Sequence, residues 1–499
     1  MARVIVTATV ERSEAEDALR PRDGALVAER PTGDGRFESA EGPFREYLRT
    51  VEVEPAADGR VRVTQRISFR LAVPYFGWLF VLPVRWALAR GDRRTLWWAP
   101  PERLDARAAS ALGTLAAVSV LGGYMAALLS TTIAFAGREF GADAGSQGIA
   151  GLVVRLGGIL AVLGAALADR AGRRRVILWT ALAAAVLTAA GAAAPSLPWL
   201  AAAQALARSL AVALLIAVGI TLAEEMPAGS RAYGVSLLAM AGSLGAGAVI
   251  VALPVADLGA AAWRWLYVVP LLGLSLLPGI ARRLPESRRF AAPHPEVSLP
   301  GHGRRLWLLA VSAFLVSLFA SPSSFFGNRY LLDERGFSAF GITVLVLVTS
   351  LPGVIGVVAG GRLADTRGRR PVGAVALAVG LATTMLFYFS SGPALWAWSA
   401  IGALIGSAGI PALGVYGPEL FPTSLRGRAG GLIAALGVLG SGIGIAAAGL
   451  LADRFGSLGP ALAVLGPGPF LVAILVLVAY PETAHRELED LNPEDRRTD

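Results

Sequence analysis

Leu167-Ala168-Asp169-Arg170-Ala171-Gly172-Arg173-Arg174 and Leu363-Ala364-Asp365-Thr366-Arg367-Gly368-Arg369-Arg370 are two copies of one polar loop, each closing a long apolar stretch. A second pair follows each copy: Glu224-x-x-Pro227-x-x-x-Arg231 and Glu419-x-x-Pro422-x-x-x-Arg426. The aspartates are offset by 365 − 169 = 196 residues, and the Glu, Pro and Arg positions by 195. Matched offsets of this kind point to a duplicated polytopic membrane unit.

Composition agrees with that reading. The chain has 499 residues, of which 55% are hydrophobic and 16% charged, too apolar for an ordinary soluble enzyme. Its 59 glycines suit membrane helices whose backbones approach closely. The net charge is +9, and the basic residues are arginines sitting in short loops between apolar spans. There they set topology and meet lipid headgroups, so nucleic-acid binding is not indicated. No cysteine is present, which removes disulfides and thiolate sites. Arginine-only usage fits a GC-rich bacterial genome, and the expected location is the inner membrane of a bacterial cell.

Residues 1–105 are mostly polar and read as a small α+β cytoplasmic or interfacial region of unknown role. Within it, Phe44–Val53 and Val61–Phe69 read as a strand pair turning at Asp58-Gly59. The apolar stretch Leu71–Ala89 is interrupted by Pro74, Pro83 and Arg85 and has arginines on both sides, so it is expected to pack on its own domain or the membrane surface. The remainder divides into about twelve spans of roughly 20 residues. They run over 110–135, 147–167, 176–195, 199–223, 234–254 and 263–283, then 305–326, 339–362, 371–391, 394–416, 429–451 and 458–480. The expected organisation is a six-helix bundle (106–284), a central cytoplasmic loop (285–304), a second six-helix bundle (305–481) and a cytoplasmic tail (482–499). Arginine-rich loops alternate with arginine-poor ones, which predicts both termini in the cytoplasm.

The paired Asp-x-x-Gly-Arg-Arg loops, the polar midpoint loop and the span count resemble the major facilitator superfamily over about residues 108–490. Pro285-Glu286-Ser287 and Pro481-Glu482-Thr483, each after the last span of a half, resemble its sugar-porter and metabolite-symporter branches. The implied fold is an all-α membrane protein of twelve helices in two pseudo-symmetric halves. The implied function is secondary active transport of a small polar or anionic metabolite by alternating access, without enzyme activity or cofactor. The resemblance also implies a cytoplasmic gating network of Asp169, Arg173, Arg174, Glu224 and Arg231 with Asp365, Arg369, Arg370, Glu419 and Arg426. Several such pairs together bias two states by the few kcal/mol that alternation requires, about 0–1 kcal/mol for each exposed pair. Asp169 and Asp365, just ahead of the next span, are placed to accept free N–H groups at its start. The first copy departs from the family pattern in carrying Ala165 where the second keeps Gly361.

A charge at mid-bilayer costs roughly 2.5–3.5 kcal/mol, so intramembrane ions point to function. Arg155 lies near the middle of the second span and Arg208 near the middle of the fourth. The second matches a fourth-span arginine that relatives place in their cavity; either residue can equally serve a neighbouring helix's carbonyl. The family's first, fourth, seventh and tenth spans line the cavity, which nominates Tyr124, Ser130, Thr131, Thr132, Gln204, Ser321, Ser323, Ser324, Asn328, Trp396 and Trp398. Of these, Tyr124, Gln204, Ser323, Asn328 and Trp398 join the two arginines as substrate or coupling candidates. No Asp or Glu lies in the middle of any span, so protons enter only as the coupling ion the family implies. The fifth span, with Gly242-Ser243-Leu244-Gly245-Ala246-Gly247, lacks the Gly-Pro step of drug antiporters. No phosphate-binding loop and no histidine within a span is found, which argues against ATP drive and an intramembrane metal. A monomer in the lipid bilayer acting on a small-molecule substrate is expected. Efflux is the alternative within the class, and a membrane-anchored sensor working through residues 1–105 is the alternative outside it.

Overall fold

The structure is a computed structural model describing residues 2–56, 60–91, 96, 98–100, 102–158, 172–227, 230–284, 303–414, 416–421 and 426–483. The side chains of residues 223, 224, 231, 232, 358, 362, 365, 418, 419 and 426–428 also lie outside this description.

The N-terminal region is a five-stranded antiparallel sheet in the order β1-β5-β4-β3-β2. The strands are β1 (Ala2–Val10), β2 (Ala28–Gly33), β3 (Arg36–Glu41), β4 (Phe44–Pro55) and β5 (Val61–Leu71). The expected β4–β5 pair is present, with Val53 opposite Val63 and Tyr47 opposite Phe69; its turn falls on residues outside the description. Alternation puts Tyr47, Val51, Val63, Ile67 and Phe69 on a buried face. Helix α1 (Arg12–Ala18) covers one end of that face and α2 (Gly77–Ala89) the other, through Ala15 and through Val84, Ala87 and Leu88. Between them lies a fully buried ion pair. The Arg49 guanidinium donates to Glu29 at 2.6–3.0 Å and to the carbonyls of Ala18 and Arg20, while the Tyr47 hydroxyl donates to the same carboxylate at 2.6 Å. Burial, reinforced by Glu29, pushes the Tyr47 phenol far above its ordinary pKa. The 13 residues of α2 span about 20 Å, short of the roughly 30 Å a crossing needs. The helix packs on the sheet through Val84, Ala87 and Leu88 and leaves Trp78, Leu82 and Trp86 exposed.

The membrane region comprises α3 (Ala106–Phe140), α4 (Ala144–Gly157), α5 (Arg173–Ala190), α6 (Leu197–Glu225), α7 (Arg231–Ala252) and α8 (Ala262–Arg283). The second set is α9 (Gly303–Arg329), α10 (Ala339–Arg367), α11 (Arg369–Phe389), α12 (Pro393–Gly414), α13 (Arg426–Phe455) and α14 (Leu458–Val478). Among the described residues, 11 helices are long and apolar enough to cross a membrane. The remaining expected span, 147–167, is described only as far as Gly158 and begins as α4. Leu351, Val354 and Ile355 on α10 are 65–68% exposed, the inverted pattern of a lipid-facing surface. Exposed tryptophans (Trp179, Trp199, Trp265 and Trp307) stand toward span ends, as an interfacial belt requires.

Small residues set the helix contacts. Gly123 meets the backbone of Gly242, and Gly245 meets the Val120 carbonyl, so α3 and α7 touch through their main chains. Gly440 and Gly444 do the same against the Phe314 and Leu318 carbonyls, joining α13 to α9. A hydroxyl bridge is also duplicated. The Ser209 hydroxyl donates to the Gly157 carbonyl between α6 and α4, and the Ser407 hydroxyl donates to the Gly353 carbonyl between α12 and α10 at 2.9 Å.

The N-terminal region is docked on the first bundle. Pro74 seats against Gly113 of α3, and the Tyr233 hydroxyl donates to the Trp98 carbonyl at 3.1 Å. The Glu102 N–H donates to the Ser230 hydroxyl just ahead of α7 at 2.8 Å.

Candidate functional site

A cavity of about 620 Å3 opens inside the second bundle, among α9, α10, α11 and α12. Helix α9 presents Phe319, Ser323, Ser324, Gly327 and Asn328 at helical spacing. Opposite stand Thr383, Thr384, Phe387 and Tyr388 of α11 with Trp398 and Ser399 of α12. The wall is uncharged: hydroxyls and an amide alternate with aromatic rings, a lining suited to a small polar solute with an apolar face. Three sequence candidates, Ser323, Asn328 and Trp398, meet here. Their bonds show how they are held. Ser323 donates back to the Phe319 carbonyl at 2.7 Å, and the Asn328 amide donates to the Thr131 carbonyl of α3 at 2.9 Å. Asn328 therefore touches the cavity and the other bundle at once.

The other four candidates lie in the first bundle. The Tyr124 hydroxyl donates to the Leu266 carbonyl at 2.9 Å, tying α3 to α8. Gln204 is 4% exposed and donates to the Thr188 carbonyl at 3.3 Å, tying α6 to α5. Arg208 donates to the Ala126 carbonyl at 2.7 Å, at mid-height of α3, beside a void of about 20 Å3 that it shares with Gln204 and Thr188. Arg155 stands on α4 where it meets Gly442 of α13. Serine and threonine hydroxyls of α3 (Ser130, Thr131 and Thr132) are returned to carbonyls one turn back.

Among the described residues, hydrogen bonds between the bundles gather at the end away from the arginine loops. Asp453, closing α13, accepts the Ala144 and Gly145 N–H groups at the start of α4 at 2.9 and 2.6 Å. Asp257, following α7, accepts the Ala339 and Phe340 N–H groups at the start of α10 at 2.8 and 2.9 Å. Each carboxylate meets a positive helix terminus of the opposite bundle. Arg138 adds a bond to Asp333 at 2.7 Å and one to the Leu332 carbonyl, and Thr343 donates to the Ile250 carbonyl at 2.9 Å. The two helix starts are themselves capped alike. Asp143 accepts from Ser146 N–H at 2.7 Å, and Ser338 from Gly341 N–H at 3.1 Å. The bond from Ser146 holds the Asp143 carboxyl below its ordinary pKa.

Sequence reasoning passed over Asp257 and Asp453 as latches. Their 196-residue offset was a visible signal, but their partners are backbone groups far away in sequence. At the arginine end, Asp169 and the side chains of Glu224, Arg231, Asp365, Glu419 and Arg426 lie outside the described residues. Asp365 falls in the last turn of α10, and Glu482 accepts the N–H groups at the start of α11, from Arg369 at 3.0 Å and Arg370 at 3.2 Å. Gly368 turns the chain between α10 and α11 with φ 98°, and Gly172 has φ 91° before α5, backbone that favours glycine. Arg369 also donates to the Thr483 hydroxyl at 2.9 Å. The Pro481-Glu482-Thr483 tripeptide thus holds one copy of the duplicated loop. Arg174 donates to the Ala281 carbonyl at 2.6 Å in the other.

Two helical bundles that share paired devices, joined among the described residues at the end away from the arginine loops, have the architecture of a membrane carrier. The chain belongs to the Major Facilitator Superfamily, whose sequence profile matches residues 115–401 and 309–498. Similar solved structures include a bacterial homologue of the human lysosomal transporter Spinster, inward-facing and unoccupied (15% identity, TM-score 0.58, covering 79% of this chain and 99% of that one). The xylose transporter XylE from E. coli, inward open, is similar at 17% identity and TM-score 0.61 over 77% of this chain and 98% of that one. The nucleoside transporter NupG is similar at 11% identity and TM-score 0.63 over 74% and 100%. Comparison with curated proteins by sequence finds no match.

Proposed function

We propose that this chain is a secondary active carrier that moves a small polar metabolite by alternating access, with the described form closed at its latched end. The observation that supports the reading is the fastening of the bundles, among the described residues, at the end away from the arginine loops, where Asp453 meets α4 and Asp257 meets α10. The arginine-rich loops support a cytoplasmic location for the opposite end and for both termini, so that the latched end would face outward.

The cavity lining supports a solute that offers hydroxyl or carbonyl groups to Ser323, Asn328, Thr383 and Ser399 and an apolar face to Trp398 and Phe387. Neighbours of the same fold carry xylose and a nucleoside. An anionic group on the solute would be met by Arg208, already oriented by the Ala126 carbonyl. Proton symport, as in a D-xylose–proton symporter of similar fold, would here run without a carboxylate at mid-span. The test is uptake into proteoliposomes of a panel of neutral and anionic metabolites, with and without a pH gradient. Saturable flux of a panel member, with a raised half-saturation concentration in Asn328→Ala and Trp398→Ala, supports the reading. Arg208→Gln then separates an anionic substrate, whose flux collapses, from a neutral one. Absence of flux for every solute under every gradient overturns it.

A further inference from the structure

Four arginines from three helices converge on a cavity of about 410 Å3 at the arginine end of the first bundle: Arg107 of α3, Arg174 of α5, and Arg282 and Arg283 of α8, with Ser110 and Leu284 completing the wall. Topology explains arginines in loops, and a helix C-terminus favours Arg282 and Arg283. Neither requires cations from three helices to share one hollow.

The repeat makes the point sharper. At an offset of 196, Arg282 and Arg283 correspond to Val478 and Ala479, and Arg107 to Gly303; only Arg174 has an arginine counterpart, Arg370. Arg107, Arg282 and Arg283 are therefore additions to one bundle, gathered around Arg174 of the duplicated loop. Some of its charge is answered within the chain. Arg107 is paired with Glu225 at 2.7 and 3.0 Å, Arg174 donates to the Ala281 carbonyl, and the Arg283 guanidinium stands 5.4 Å over the Tyr75 ring. Arg282 and Arg283 are exposed and line the cavity.

We propose that this cavity binds the phosphate of an anionic phospholipid. Guanidinium groups match phosphate oxygens two at a time, and basic hollows between helix ends select anionic headgroups. The membrane, rather than free phosphate in water, is the favoured source because Leu272 and Leu276, about two to three turns earlier on α8, are 71% and 41% exposed and would lie along the acyl chains. The N-terminal region borders the same stretch of α8: the Tyr75 hydroxyl reaches the Leu276 carbonyl at 3.5 Å, so a bound lipid would sit where that region meets the bundle.

The test is native mass spectrometry of the full chain in detergent, titrated with phosphatidylglycerol and phosphatidylcholine, and it stands apart from any transport assay. Phosphatidylglycerol should bind preferentially, and Arg282→Ala with Arg283→Ala should weaken it roughly ten- to thirtyfold. Arg454→Ala, outside the cavity, should change nothing, and thermal unfolding of the lipid-free double variant should match the parent. Displacement by millimolar glycerol 3-phosphate would keep the phosphate site but reassign its source to water. Equal binding of both lipids, or full retention of phosphatidylglycerol by the double variant, would overturn the proposal.

Discussion

The two bundles agree in backbone and differ in chemistry. Helix starts capped by Asp143 and Ser338, glycines at 245 and 440 pressed on a neighbouring carbonyl, serine bridges onto Gly157 and Gly353, and carboxylate latches at 257 and 453 all recur at or near the same offset. Each device governs how closely main chains approach or how one bundle grips the other. The exceptions are side chains facing interior space. The first bundle holds Arg155, Arg208 and the arginine cavity; the second holds the hydroxyl- and aromatic-lined cavity. Duplication has kept the hinge geometry common and left each half its own recognition surface.

The largest effect is expected where the halves agree most. A Cβ at Gly245 or Gly440 would overlap a backbone oxygen that cannot retreat. Gly245→Val and Gly440→Val should each abolish recovery of monodisperse protein in size-exclusion chromatography. Normal recovery of either would break the equivalence of the two packing seams.

Recognition should divide unequally between the bundles. Trp398→Ala is expected to raise the half-saturation concentration for the transported solute about tenfold, the scale of one lost aromatic contact. Gln204→Ala, in the matching half, should lower thermal stability and leave that concentration unchanged, because its amide serves the Thr188 carbonyl. The reverse pattern would move the binding site into the first bundle.

The latches should behave as equals. Asp453→Asn and Asp257→Asn each weaken a carboxylate at a helix N-terminus, and the double variant should shift the population toward opening of that end by roughly five- to thirtyfold. The chain contains no cysteine, so single introduced thiols report accessibility without background. A large effect from one latch alone would show that the halves are unequal here too.

The smallest effect concerns the two caps. Because Ser146 depresses the Asp143 pKa, its contribution to stability is present above the ordinary carboxylate value of about 3.9 and is lost as pH falls through the lower folded value. The difference in unfolding temperature between the parent and Asp143→Ala should hold at neutral pH and close only in acid, whereas Ser338→Ala should show no such pH dependence.

Much of this was legible in the sequence because it depends on apolar length and matched spacing. The expected span 339–362 became α10 (Ala339–Arg367) and 371–391 became α11 (Arg369–Phe389), their ends differing where glycine caps and polar turns extend a helix beyond its apolar core. The β4–β5 pair followed from alternation. The site was harder to read. Tyr124 and Gln204 looked like cavity residues from span number alone, yet a residue's face on its helix decides whether it meets a solute or a neighbouring carbonyl. Glu482 was seen as part of a family tripeptide, and its role in capping α11 depends on folding α14 back beside that helix. Asp257 and Asp453 bond to backbone, which leaves no partner side chain to find.

Double electron–electron resonance on two spin-labelled pairs tests the central claim most directly: Ala261→Cys with Phe455→Cys across the latched end, and Arg175→Cys with Arg304→Cys across the arginine end. Under transport conditions the first distance should lengthen while the second shortens, in the same population of molecules. Active transport with both distances fixed, or with both moving the same way, would contradict two bundles rocking between a latched end and an open one.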